Sequence, residues 1–261
     1  MERNHANRSK TAFVIVVLFI IGTLLNIPFS RELKRLKIEA GDVNVRLLDS
    51  ITTEIVQTGI YGLILGVILV VVGLWLSRNS QLGAPVIESF FSNREKTSLN
   101  QFAKNLIYPI GLSILLALVL LLLHKQVRAY YPVASLLERP AKPFYAIVSF
   151  SAGITEEIMF RLGLMSLIIA VIQYFKKDSK PLPSVVWVGI LISAIGFGLI
   201  HLPLSKNFSN LTTITVGATI IGNLITGSFF GWVYWKRGLL AAIVVHVVWD
   251  MVFHVIGSPY M

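Results

Sequence analysis

Three short motifs in the second half of the chain put ionisable side chains where the surrounding sequence is apolar. Of the 13 acidic residues, Glu156, Glu157 and Asp250 stand inside apolar runs, together with Arg161, His201, His246 and His254. A charge at mid-membrane costs about 2.5–3.5 kcal/mol on insertion scales, so such a concentration needs a cause. The residue types suggest what the cause is. A carboxylate can take a proton from water, an imidazole can position that water or bind a metal, and an imidazole–carboxylate pair can relay a proton or face an oxyanion.

In the first motif, Thr155-Glu156-Glu157-Ile158-Met159-Phe160-Arg161, helical geometry separates the two glutamates. Glu157 and Arg161 are four apart, share a face and can neutralise each other. Glu156 is turned about 100° away and has no obvious local partner, which suits a general base. The competing reading is that all three form one buried polar network holding helices together. The second motif is Phe197-Gly198-Leu199-Ile200-His201, just before Pro203; alone, such a histidine is more often interfacial than catalytic. The third is His246-Val247-Val248-Trp249-Asp250, whose spacing of four stacks imidazole over carboxylate. A metal site, a proton relay, an oxyanion donor and an interhelical polar pair all remain open for it. His254 extends the same stripe by one turn and is expected at the interface. His124 and His5 border loops and receive no role.

The elements that must position these residues are membrane helices. The chain has 261 residues, 55% hydrophobic and only 14% charged, against about 25% charged in ordinary soluble domains. Apolar runs long enough to cross a bilayer, which takes about 20 residues, lie near 12–28, 56–76, 105–124, 144–175, 184–202, 210–235 and 239–256. Backbone polar groups in lipid must be satisfied within the segment, and the runs lack the alternation of barrel strands. The expected fold class is therefore all-α: a polytopic transmembrane helix bundle of seven spans, or eight, with the chemistry in the last four. It reads as a single membrane domain, with residues 1–143 forming the N-terminal spans and loops and 144–256 the core.

The net charge of +10 sits in short clusters between apolar runs. Clusters of that kind anchor a helix at lipid headgroups and do not make a nucleic-acid groove. The absence of cysteine excludes disulfides, thiolate nucleophiles and thiolate zinc sites. The first span follows Arg3, Arg8 and Lys10 and lacks a small-x-small site after it, so a retained signal anchor is expected. Residues 31–55 are expected to form an amphipathic or surface-lying stretch, 77–104 a longer connection, and 125–143 a loop broken by Pro132, Pro140 and Pro143. With a cytoplasmic N-terminus, the cytoplasmic segments hold 12 Lys/Arg and the opposite ones 10, a small asymmetry in that direction. Because consecutive spans are antiparallel, Glu156, His201, His246 and Asp250 can all fall towards one side, which is compatible with a shared site.

Taken together and in this order, the motifs resemble those of the CPBP family (CAAX proteases and bacteriocin-processing enzymes, also called Abi): Glu-Glu-x-x-x-Arg, Phe-x-x-x-His and His-x-x-x-Asn/Asp on late transmembrane helices. The stretch Gly83-Ala84-Pro85-Val86-Ile87-Glu88 is reminiscent of a segment preceding the core in bacterial members. The resemblance implies an intramembrane endopeptidase in the cell membrane, acting on a membrane-associated protein or peptide of CAAX or leader type. Glu156 would activate water, His201 would help to position it, His246 and Asp250 would complete the site, and Glu157 and Arg161 would be a structural pair. Asp250 stands where the prenyl-protein proteases carry Asn, which favours a histidine-orienting or metal-binding role over oxyanion donation. The family's chemistry is either metal-dependent or glutamate-only. A divalent metal such as zinc would be held by His201, His246 and Asp250, although no His-Glu-x-x-His helix is present. No other cofactor is implied, and the partners are the substrate and the bilayer. The rival reading is a transporter, proton relay, or immunity or regulatory binder using the same pocket; against it stands the lack of an inverted repeat.

Overall fold

The computed structural model describes residues 2–47, 50–80, 82–92, 98–130, 138–177 and 180–257. Among these residues all regular secondary structure is helical. Seven helical stretches are long and apolar enough to cross a membrane: Arg8–Glu39, Ile51–Leu76, Leu99–Val127, Lys142–Lys176, Pro183–Ser205, Thr213–Arg237 and Leu239–Ile256. Each apolar run in the sequence coincides with one of them, because in hydrocarbon a helix is the one local way to pair every backbone amide.

Helix α1 (Glu2–Leu25) turns at Asn26 into α2 (Ile27–Glu39), with Pro28 in its first turn. Of the amphipathic stretch expected at 31–55, residues 31–39 form a helix continuing the first span, and residues 51–55 open the next one. Helix α2 buries Ile27, Phe29 and Leu36, and its basic side directs Arg31 and Lys34 onto Glu54, at 2.7 and 3.2 Å. Glu54 is buried in the first turn of α3 (Ile51–Leu76) and so lies inside the next helix, not in the connection. Two cations converge on one carboxylate there, which removes most of the cost of burying it.

A short helix α4 (Pro85–Phe90) follows α3, and α5 (Leu99–Tyr130) carries Pro109 in its interior. The loop expected from residue 125 begins later than its sequence suggested, since α5 continues to Tyr130 and includes His124. Pro132 lies outside the described residues, and Pro143 occupies the first turn of α6 (Lys142–Glu157), where its missing N–H costs nothing. The fourth span then passes through a π-helical segment (Ile158–Met165) into α7 (Ser166–Lys176). Helices α8 (Pro183–Ile200), α9 (Leu202–Ser205), α10 (Thr213–Arg237) and α11 (Leu239–Asp250) complete the bundle, and α11 ends in a second π-helical segment (Met251–Ile256).

The core is built around α11. Its Leu239, Ala241, Ala242 and Val245 are fully buried, and α5, α6 and α10 pack about it. The sharp return from α10 to α11 depends on Gly238, whose φ of +84° lies in the left-handed region that glycine tolerates. A Cβ at Gly238 would also fall 2.5 Å from Pro85 Cδ. The Gly83–Glu88 stretch is therefore packed against this turn: Leu82, Ala84, Val86 and Ile87 are buried, and the Leu239 amide donates to the Gly83 carbonyl at 3.0 Å.

Candidate active site

α6 and α11 cross closely, and one residue permits it. A Cβ on Gly153 would lie 2.5 Å from Val247 Cγ2 and 3.2 Å from the Ile243 carbonyl oxygen. One turn beyond Gly153 come Glu156 and Glu157; flanking Val247 is His246. The missing side chain thus sets the distance between the first and third motifs. Substituting Gly153 by Val should overpack this crossing at a cost of about 1–3 kcal/mol, read as a lower melting temperature in detergent, with Gly153→Ala intermediate. An unchanged melting temperature for Gly153→Val would show that the crossing does not need this contact.

Glu156 faces both catalytic-type histidines. Its Oε1 lies 3.9 Å from His201 Nε2 and its Oε2 lies 3.8 Å from His246 Nε2. His246 Nε2 is in turn 3.7 Å from Asp250 Oδ1. The four side chains expected in the site therefore converge, although they come from three different spans. These separations exceed a direct hydrogen bond but suit a single oxygen atom lodged between the partners. Glu156 and His201 keep 20% and 24% of their side-chain surface exposed, whereas Glu157 and Arg161 keep none. Glu156 Oε2 is buried without a hydrogen-bond partner, a costly state for a carboxylate oxygen unless something binds there.

The far nitrogen of each histidine is already committed. His201 Nδ1 lies 2.7 Å from the Phe197 carbonyl oxygen, one turn back along α8. His246 Nδ1 lies 2.9 Å from Glu157 Oε1. A carbonyl and an arginine-paired carboxylate only accept, so both Nδ1 atoms must donate. In its neutral form each ring then presents an Nε2 lone pair towards Glu156. The Phe-x-x-x-His spacing is explained by the same geometry: the Phe197 carbonyl fixes the tautomer, and its ring packs 4.7 Å from the His201 ring. Phe230 on α10 stacks on His246 at 4.4 Å between ring centres. Sequence reasoning missed Phe230, since nothing local in α10 marks it; only the tertiary approach of α10 and α11 does.

Glu157 and Arg161 form the expected pair at 3.2 Å, with Arg161 also donating to Ser193 at 3.5 Å and lying over the Phe197 ring at 5.3 Å. Glu157 does more than pair, however. One carboxylate oxygen holds Arg161 and the other holds His246, so it links the first motif to the third. The signal was available in principle, because a carboxylate has two acceptor oxygens and a single arginine nitrogen engages one. The two π-helical segments start directly after Glu157 and directly after Asp250. Such widened turns re-aim side chains and are frequent at functional sites.

His254, expected at the interface, lies beside the site. Its Nε2 is 4.0 Å from Asp250 Oδ1, and its ring stacks on Tyr145 of α6 at 5.7 Å. His124 packs edge-on against Phe253, and His5 falls in α1. Among the described residues, no three His, Asp or Glu side chains are drawn together closely enough in these positions to hold a metal ion. The donor set itself, imidazole nitrogens with carboxylates, is of the kind that zinc takes.

The segment carrying all three motifs was recognised independently. Residues 139–252 match the family model for type II CAAX prenyl endopeptidase Rce1-like proteins. No curated protein and no solved structure matches the chain. The matched segment contains Glu156, Glu157, Arg161, His201, His246 and Asp250, and it coincides with the last four spans that build the site. Residues 139–252 of this integral membrane protein are thus similar to the type II CAAX prenyl endopeptidase Rce1-like family, in agreement with the family that the three motifs resemble.

Proposed function

We propose that the protein is an intramembrane endopeptidase that hydrolyses a peptide bond of a membrane-associated, CAAX-type substrate with a water activated by Glu156. The observation that carries this reading is the position of Glu156 between the two histidine Nε2 atoms, at 3.9 and 3.8 Å, partly exposed beside the buried Glu157, Arg161 and His246. A water there donates one proton to Glu156 and the other to His201 Nε2, leaving an oxygen lone pair for the scissile carbonyl. As the oxygen attacks, Glu156 accepts the proton. His246, when it carries both protons, directs Nε2–H at the oxyanion, while Glu157 and Asp250 hold its ring and balance its charge. Glu156 then returns the proton to the departing nitrogen as the carbon–nitrogen bond breaks, so that a carboxylic acid, still carrying the water's second proton, and an amine leave.

A divalent metal, where one is used, would be held by His201, His246 and Asp250 and would supply Lewis-acid polarisation of the carbonyl. The metal-dependent and glutamate-only forms separate by measurement on one preparation. Purified protein is assayed with an S-prenylated peptide by mass spectrometry, before and after chelation, alongside metal analysis. The glutamate-only form predicts full activity after chelation and no stoichiometric metal. Loss on chelation with recovery on adding zinc back establishes the other. Absence of any cleavage of prenylated or membrane-embedded substrates would favour the binding-protein reading.

A further inference from the structure

The Gly83–Glu88 stretch takes no part in the candidate active site, and it lines a separate cavity. That cavity, of about 280 Å³, is bordered by Arg8, Arg78, Glu88 and Ser77 and by the apolar Leu74 and Leu82. It sits at the far end of the bundle from Glu156. Gly22 packs against the neighbour of Glu156, since a Cβ added to it would come 2.8 Å from Thr155 Cγ2. Arg8 stands fourteen residues before Gly22 on α1, about 21 Å at 1.5 Å per residue. Arg8 also opens the first stretch able to cross a membrane, and Arg78 follows the end of the second at Leu76. Both guanidiniums therefore lie where a bilayer has its headgroups.

Arginines at span ends often do no more than reach for water. The carboxylate beside them distinguishes this cavity. Glu88 Oε1 and Ser77 Oγ stand 3.6 and 3.4 Å from the point where a Cβ on Gly83 would sit, so Glu88 folds back over that glycine. Among the described residues, none of the three charged groups forms an ion pair. Two cations and one anion thus share a cavity without neutralising one another. A phosphodiester placed there would take paired N–H donors from the guanidiniums. By itself it would leave Glu88 facing a second negative charge. A headgroup with a primary ammonium beside its phosphate satisfies all three groups. Choline brings no N–H to donate, and a glycerol headgroup brings no cation. Leu74 and Leu82 offer the first acyl methylenes an apolar wall.

We infer that this cavity binds the headgroup of an aminophospholipid, with its phosphate on Arg8 and Arg78 and its ammonium on Glu88. The inference does not depend on the proteolytic reading. A headgroup held there also braces α11, because the Gly83 carbonyl accepts from the Leu239 amide at 3.0 Å and Leu239 opens the helix that carries His246 and Asp250.

Binding is read by native mass spectrometry on purified, delipidated protein in detergent. Dioleoyl phosphatidylethanolamine, phosphatidylcholine and phosphatidylglycerol are titrated in turn. The ethanolamine lipid should bind about tenfold more tightly than either other, the lower end for a hydrogen bond between charged groups. Glu88→Gln should erase its preference over the choline lipid. Replacing Arg8 and Arg78 together by Gln should instead weaken the ethanolamine and choline lipids alike, by about tenfold or more. All three side chains are exposed, so the lipid-free variants should melt at the wild-type temperature. Wild-type protein that binds the choline or glycerol lipid as tightly as the ethanolamine lipid overturns the inference without any variant. So does a preference for ethanolamine that survives Glu88→Gln. Soluble phosphoethanolamine carries the same charged groups without acyl chains and serves as competitor. It should not displace the lipid at equal concentration; displacement would assign the cavity to a soluble phosphate ester and overturn the lipid assignment.

Discussion

Glu156→Gln is expected to leave the fold and peptide binding intact and to abolish hydrolysis. Glutamine keeps the length and the hydrogen-bonding reach of the side chain, and Glu156 contributes no hydrogen bond that holds helices together: its Oε2 has no partner and its nearest polar neighbours lie 3.8 and 3.9 Å away. What glutamine cannot do is accept the proton of the attacking water. Loss of a general base typically costs about 10²–10⁴-fold in rate, so turnover should fall at least that far, with an unchanged melting temperature. Retention of normal turnover would remove Glu156 from the base role and with it the mechanism. A large drop in melting temperature would instead assign Glu156 to the polar network that Glu157 and Arg161 already form.

Arg161→Ala is expected to act in the opposite way, through stability first. Glu157 and Arg161 are completely buried, and removing one leaves the other as an uncompensated charge. Breaking a buried pair costs on the order of 3–5 kcal/mol, enough to lose most folded protein on extraction from the membrane. Glu157→Gln should lose stability for the same reason and activity as well, because Glu157 Oε1 also holds His246 Nδ1 at 2.9 Å. The two variants therefore make a graded pair. Thermal unfolding and specific activity per folded molecule, measured on whatever protein survives, should separate them: the Arg161 variant retains more activity per folded molecule than the Glu157 variant. Normal yields with no activity in both would move the pair out of the scaffold and into the chemistry.

Together these expectations divide one polar cluster by burial. Glu157 and Arg161, with no exposure, support the site, and the partly exposed Glu156 and His201 meet the water. The division follows from access, since only Glu156 and His201 present an edge on which water and a peptide can meet.

Much of this was legible in the sequence, for a reason specific to membranes. A helix in hydrocarbon must satisfy its own backbone and show apolar side chains outward, so span number, helical class and the oddity of each buried charge can be read locally. The i,i+4 pairs Glu157–Arg161 and His246–Asp250 were legible on the same ground, because they depend on helical pitch alone. Distances between spans are not local. That Glu157 serves His246 as well as Arg161, that Phe230 stacks on the imidazole, that Gly153 sets the α6–α11 crossing, and that His254 turns inward onto Tyr145 all arise from side chains packing across helices far apart in the chain. The π-helical segments after Glu157 and Asp250 shift side-chain directions in a way that no 3.6-residue period anticipates. Composition and spacing mark the residues that are too costly to bury without purpose; contacts between spans set which of them face one another, since close packing between helices turns a list of charges into a geometry.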